Sequence, residues 1–259
     1  MIPRLFITFP LSENANAPIS AQQAHYLKNV LRRAEGDEVL LFNGKDGEFA
    51  GTIIELKKKG GLVSLGAQNR AQIAEPDLTL LFAPVKRGAV EAIIQKAVEV
   101  GVARFVPVLT ERTVNARMNI DRLQAIATEA AEQCERLSVP EVDAPQKLSN
   151  IVADWPAGRR LMFCDEAGDD ETQPWGGPTG RALPVLEALK GSDSSTDQWA
   201  ILTGPEGGFS PAERQSLREK SFVTSVTLGP RVLRADTAAI AALVLWQAAI
   251  GDWQEASIT

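Results

Sequence analysis

The strongest constraint on this chain is a change of hydrophobic pattern near Pro76. Upstream, "RLFITF" is apolar and β-prone, and "EVLLFNGKDGEFAGTIIELKKKGGLVSLG" holds three apolar runs separated by "NGKDG" and "KKKGG", both good hairpin turns. One helix interrupts them. Ser20 and Gln23 form a capping-box pattern, and Ala24, Leu27, Val30 and Leu31 fall on one helical face. A small antiparallel barrel with one helix is therefore expected over residues 1–72. Beyond the "AQIAEPD" linker, "LTLLFAPV" reads as a buried strand, and residues 87–100 read as a helix with Ile93, Ala97 and Val100 in register. "ARFVPVL" is strand-like again, followed by a long helix over 120–137. "RRLMFCDE", "QWAILTGP" and "TSVTLGPR" supply further strands between helical patterns, which predicts a parallel or mostly parallel α/β sheet over residues 76–255.

Composition narrows the chemistry. The single histidine, His25, and two isolated cysteines, Cys134 and Cys164, do not make an ordinary zinc site, so no metal is expected. There is no G-x-S-x-G elbow, no Walker A motif and no Rossmann G-x-G-x-x-G. No apolar run approaches a membrane span, and "MIPRLFITFP" lacks the pattern of a signal peptide, so a cytoplasmic protein without a membrane partner is expected. The net charge of −6 argues against nucleic acid only until it is located. Residues 163–200 carry eight acids against Arg181 and Lys190, which accounts for the whole excess. A solvated acidic loop around "CDEAGDDE" explains it, leaving the partner question open.

Two strand ends look alike. "AILTGPEGG" and "SVTLGPRVL" each run from an apolar strand into Gly-Pro, at Gly204-Pro205 and Gly229-Pro230. Ligands of open α/β sheets settle at the carboxyl ends of strands. Glycine allows close backbone approach there, and proline stiffens the next step. The first bend enters "SPAE", a capping box with proline at the first helical position; the second enters a helix for which Asp236 is the candidate N-cap. Ordinary turns are the competing reading, weaker for the pair than for either alone. Glu206 in the first bend repels a diphosphate but tolerates a ligand that is neutral or cationic where it sits. S-adenosylmethionine, a nucleoside with a sulfonium and no phosphate, suits such a cradle.

"LTGPEGGFS" together with "LGPRVLRADTA" resembles the paired signature loops of the RsmE family, the 16S ribosomal RNA uracil-N3 methyltransferases of the SPOUT superfamily. "HYLKNVLR", "KRGAVEAIIQKAVEVGV" and "EAAEQCERLSVP" follow the family order along nearly the whole chain. Where the family usually reads Thr-Glu-Thr-Ala, this chain has Ala235-Asp236-Thr237-Ala238. The resemblance implies an N-terminal PUA-like β-barrel that helps bind RNA, a C-terminal α/β domain with a deep trefoil knot, and a homodimer. It implies that Leu202, Gly204, Glu206, Gly207 and Gly208 line the S-adenosylmethionine site with Leu228, Gly229, Leu233 and Thr237. The substrate it implies is a specific uridine of 16S rRNA, on the assembled small subunit.

Uracil N3 is a poor nucleophile until its proton leaves. An arginine facing the base stabilises the charge that develops; Arg234 is the first candidate and Arg231 the second. Glu206, Asp236 or water are the candidates to accept the proton. A structural ion pair of Arg234 with Glu206 or Asp236 is the competing reading. His25, Arg32, Lys86, Arg87 and Arg231 are candidates for RNA contact. Two other classes remain open. A non-catalytic RNA-binding protein has no need of two Gly-Pro bends, and another nucleotide-dependent enzyme needs phosphate or metal ligands that the sequence does not display.

Overall fold

The computed structural model describes residues 2–114, 117–170, 172–192 and 198–254. The chain forms two units, Met1–Ala74 with Thr128–Val139, and Glu75–Ala127 with Pro140–Thr259. The first therefore takes in residues 128–139, a stretch inside the segment expected for the second domain; the expected end at residue 255 lies outside the described residues.

The first unit contains β1 (Arg4–Phe6), β2 (Asn16–Ile19), α1 (Ala21–His25), β3 (Glu38–Phe42), β4 (Glu48–Lys57) and β5 (Gly60–Arg70). The strands form one sheet in the order β1-β3-β4-β5-β2, antiparallel except for the β1–β3 pair. Alternate residues of β3, β4 and β5 point to one face, and Val39, Leu41, Ile53 and Val63 are fully buried there with Leu27. The capping box forms as its spacing predicts: Ser20 Oγ accepts from Gln23 N (3.2 Å) and Gln23 Oε1 accepts from Ser20 N (2.9 Å). The helix departs from expectation one turn later. Residues Tyr26–Val30 form a π-helical turn, which holds more residues per turn than an α-helix and rotates Val30 off the apolar face. Val30 is 59% exposed, while Leu27 is buried and Leu31 partly so.

Residues 128–139 join this unit through polar contacts. Arg4 donates to the carbonyls of Ala131, Glu132 and Arg136 at 3.1, 3.0 and 2.9 Å, satisfying oxygens that a helix end leaves free. Its Nε also pairs with Glu48 (2.6 Å), a buried carboxylate that Arg70 and Asn69 reach as well. Burial alone raises the Glu48 carboxyl, but hydrogen bonds from Arg70, Arg4 and Asn69 outweigh it and hold the group below its usual range.

The second unit contains β6 (Leu78–Phe82), α2 (Arg87–Glu99), β7 (Arg104–Leu109), the start of α3 (Ile120–Gln133), β8 (Glu141–Val142), β9 (Gln146–Lys147), α4 (Leu148–Ala153), β10 (Arg159–Cys164), β11 (Leu183–Pro184), α5 (Val185–Ala188), β12 (Gln198–Thr203), α6 (Pro211–Arg218), β13 (Val223–Thr227) and α7 (Ala235–Ile250). Its sheet runs β11-β13-β10-β12-β6-β7-β8, with β9 beside β7, and every pairing is parallel. All five residues of β6 are buried, as expected of a strand covered on both faces. Trp199 of β12 and Trp246 of α7 meet edge-on with ring centroids 6.4 Å apart, fixing α7 to the sheet. Strand β12 lies between β6 and β10, so the sequence order reverses there and the carboxyl ends of β6, β10 and β12 open on one crevice. Among the described residues no helix is long and apolar enough to cross a membrane.

Candidate functional site

A cavity of about 1650 Å³ occupies that crevice, lined by residues following β6, β10 and β12 and by Val232–Asp236 after β13. Ordinary small-ligand sites measure roughly 300–1,000 Å³, so there is room for more than one small molecule. The first bend singled out in the sequence and the residues just after the second, from Val232 on, thus face a common space.

The first bend owes its shape to what lies beneath it. Phe209 turns inward and meets Phe163 edge-on, with centroids 4.9 Å apart. Burying that ring contributes roughly 1.5–3 kcal/mol. A side chain at Gly204 would meet the Phe209 ring at 2.7 Å, so only glycine allows the bend to sit so close. Gly208 has φ +67° and its amide donates to the Pro205 carbonyl at 2.9 Å, closing the turn. The helix behind is fixed by its capping box: Ser210 Oγ accepts from Glu213 N (3.2 Å), and Glu213 Oε2 accepts from Ser210 N (2.9 Å). The other oxygen of Glu213 accepts from Glu111 N (2.9 Å), which brings Arg112 to the Gly207 carbonyl at 2.9 Å.

The second bend is braced from β10. Glu166 accepts from Leu228 N (3.0 Å) and from Thr227 Oγ1 (3.2 Å). Burial raises the Glu166 carboxyl above its usual range, with the hydrogen bonds from Leu228 and Thr227 opposing it. Helix α7 starts differently from expectation. Its N-cap is Arg234, and Asp236 lies inside the first turn, where it accepts from Thr237 N (2.8 Å) instead of capping.

The acidic stretch after β10 is likewise not the solvated loop that its charge suggests. Asp165 is 1% exposed and lies between two arginines of α6, 2.7 Å from Arg214 Nε and 2.7 Å from Arg218 Nε. Arg214 also donates to the Ala167 and Gly168 carbonyls (2.6 and 2.8 Å), and Arg218 to Asp169 Oδ1 (2.8 Å) and the Gly180 carbonyl (3.1 Å). Hydrogen bonds from Arg218 hold the Asp169 carboxyl low. The stretch is thereby a wall of the cavity. Glu171, Asp193 and Asp197, three of its acids, lie outside the described residues. Cys164 sits at the base of this wall; burial, with Glu166 and Asp165 nearby, pushes its thiol up, so it is neutral and no nucleophile.

Of the residues named from sequence, Gly204, Glu206, Gly207, Gly208, Leu233, Arg234 and Lys86 line the cavity together. Leu202 does not; its side chain is fully buried in the core with Phe163 and Phe209. Leu228, Gly229, Thr237, Arg87 and Arg231 are not among the lining residues. Arg87 is held by Glu91 at 2.9 Å. Arg234 is exposed and makes no ion pair with Glu206 or Asp236 or any other described residue. His25 and Arg32 are exposed on the first unit. Sequence reasoning missed Glu166, Trp175, Arg214 and Arg218, because each acts through a tertiary contact that no local pattern encodes.

The cavity fits a nucleoside cofactor lacking phosphate: exposed glycine backbone, the apolar edge of Leu233, and an exposed carboxylate, Glu206, for a cationic centre. No cluster of His, Cys, Asp or Glu suited to a metal ion occurs among the described residues. Comparison with known proteins points the same way. A family model for an RNA methyltransferase domain matches residues 74–247, and one for an RNA methyltransferase PUA domain matches residues 19–65. The ribosomal RNA small subunit methyltransferase E of Rickettsia conorii is 30% identical over 241 residues, 93% of either chain. Its namesake from Synechocystis is 32% identical over 88% of this chain and 72% of its own. The crystal structure of the Neisseria gonorrhoeae enzyme of the same name, bound to S-adenosylmethionine, superposes with TM-score 0.83 at 26% identity, covering 98% of this chain and 100% of that one. A putative methyltransferase from Legionella pneumophila in complex with the same cofactor gives TM-score 0.76 at 29% identity, over 97% and 99% of the two chains.

Proposed function

This chain belongs to the RNA methyltransferase family, among the ribosomal RNA small subunit methyltransferase E proteins, and from that premise we propose that it methylates N3 of one uridine of 16S rRNA on the assembled small subunit. It is an S-adenosylmethionine-dependent rRNA methyltransferase. The observation that carries the finer reading is Arg234, an exposed guanidinium without an ion-pair partner among the described residues, on the same cavity as the glycine bend.

Gly204, Gly207, Gly208 and Leu233 would hold the cofactor. S-adenosylmethionine, when bound, supplies an electrophilic methyl group on a sulfonium. The remaining work falls to side chains of this chain. Arg234 stabilises the negative charge that spreads over O2, N3 and O4 of the base as the N3 proton leaves. Glu206 accepts that proton: it has no hydrogen-bond partner among the described residues, whereas Asp236 already accepts from Thr237. Holding both substrates in line lowers the barrier further. His25 and Arg32, exposed on the first unit, and Lys86 and Arg231, exposed on the second, contact RNA phosphates.

The reading includes closure of the first unit as a PUA-like barrel, a deep trefoil knot in the second and a homodimer. Ile240, Val244 and Leu245 of α7 stay only half-buried within the chain, which supports a partner subunit covering them. A mass of one chain by analytical ultracentrifugation would remove the dimer. The decisive experiment is methyl transfer from labelled donor to small ribosomal subunits lacking the modification, in parallel with free 16S rRNA, followed by nucleoside analysis. Label in 3-methyluridine, on subunits in preference to free RNA, is expected. Label in any other nucleoside overturns the N3 assignment.

A further inference from the structure

The wall that follows β10 carries an exposed aromatic ring to the rim of the cavity, and nothing in the fold requires it there. Trp175 is 40% exposed and adopts φ 55° and ψ 30°, a left-handed conformation that bulky residues rarely enter. Strain of this kind persists only where the surroundings over-determine it, and it concentrates at functional positions. Here the surroundings are explicit. The Trp175 carbonyl accepts from Gly168 N (2.9 Å), the Gly176 carbonyl from Asp170 N (3.0 Å), and the Thr179 carbonyl from Asp169 N (2.8 Å). Arg181 Nε donates to the Gly177 carbonyl at 2.9 Å. The base of this cross-linked loop is held by the Arg214 and Arg218 contacts with Asp165 and Asp169. The indole then lies against the glycine bend: a side chain begun at Gly208 would meet Cζ3 of Trp175 at 3.5 Å.

We propose that Trp175 is a positioning residue for the RNA substrate, presenting its ring at the mouth of the cavity as a stacking face for the target pyrimidine once that base leaves its neighbours. Three observations favour a base over other occupants. The ring is partly open to solvent, where a macromolecule can reach it, whereas Phe209, the other aromatic lining the cavity, is buried. The cavity is larger than one small ligand needs. The arginines at the base of its loop, Arg214 and Arg218, are spent on Asp165 and Asp169 and so are not free to hold a phosphate, while the ring accepts a neutral heterocycle. Enzymes that modify a base take it out of the stack and commonly hold it against an aromatic face.

The inference rests on the rRNA methyltransferase reading, so its test has one arm that needs no methyl transfer. In steady-state assays with unmodified small subunits, Trp175→Ala should raise KM for the subunit about tenfold, with S-adenosylmethionine affinity within about twofold of the parent protein, and Trp175→Phe should recover most of the loss. In the second arm, a short uridine-containing single-stranded RNA should quench the tryptophan fluorescence of the full-length parent and quench Trp175→Phe distinctly less. Weakened cofactor binding by Trp175→Ala with an unchanged KM for the subunit would reassign the ring to the adenine. Unchanged kinetics together with equal quenching would leave it a surface residue. If the parent protein transfers no methyl group to rRNA while the difference in quenching persists, the parent reading fails and the stacking face stands.

Discussion

Arg214 and Arg234 line the same cavity and have opposite electrostatic settings. Arg214 spends its donors on Asp165, Asp169 and two backbone carbonyls, and its side chain is largely buried. Arg234 is exposed, at the N-cap of α7, with no ion-pair partner among the described residues. The fold has used up the first arginine, and the second, which it leaves without an ion pair among the described residues, is the one proposed for chemistry. The difference teaches that the count of arginines near a crevice says little; what separates scaffold from site is whether the fold already satisfies the guanidinium.

Substitutions at the two places should therefore differ in kind. Arg234→Ala should lower kcat about a hundredfold or more while leaving the melting temperature and cofactor affinity almost unchanged, as measured by single-turnover assays and calorimetry. A tenfold loss of cofactor affinity would make Arg234 part of the binding scaffold and erase the contrast. Asp165→Ala should do the reverse, leaving Arg214 and Arg218 facing each other without their shared carboxylate. Chemical denaturation should record a loss of about 3 kcal/mol. Stability within about 0.5 kcal/mol of the parent would mean that the wall is not held by this cluster.

A third test moves the contrast to the first unit, where Glu132 accepts from Phe6 N at 2.9 Å. Burial pushes its carboxyl up to about 7, with the Phe6 hydrogen bond opposing and Glu129 adding to the rise. A carboxyl raised in the folded state stabilises the fold at low pH, and that contribution is lost as pH climbs from the unfolded value of about 4.5 through 7. Denaturation midpoints should thus fall between about pH 5 and 8 in the parent, and fall less in Glu132→Gln, which keeps the acceptor for Phe6. Identical slopes would contradict the burial argument. The smallest effects separate neighbours: Lys86→Ala should raise KM for RNA about threefold, and Arg87→Ala less than twofold because Glu91 already holds it. Equal effects would mean that the Glu91 pair does not restrain Arg87.

Much of the fold was legible because it is encoded locally. The alternation of strand and helix patterns after Pro76 led to the parallel sheet, and the two capping boxes form at Ser20 and Ser210 as their spacing demands. The Gly-Pro bends were legible as a pair because both follow apolar strands. What escaped depends on partners far away in sequence. Asp165 reads as a solvated acid until Arg214, 49 residues on, is known to cover it. Residues 128–139 read as the end of a helix in the second domain, and hydrogen bonds from Arg4, Phe6 and Arg70 tie them to the first unit. The resemblance implies that Leu202 lines the site, whereas a strand buried on both faces turns its side chain into the core. Trp175 gave no signal at all in a loop rich in proline and glycine, where no period can be read.

The account depends on the bends after β12 and β13 forming one receptor for an adenosine-bearing methyl donor. Titration calorimetry of the full chain with S-adenosylmethionine and, separately, with ATP probes this most directly. Saturable binding of the methyl donor with no heat from ATP is the expected result, since Glu206 opposes a polyphosphate in the first bend. Binding of ATP without binding of S-adenosylmethionine would contradict it.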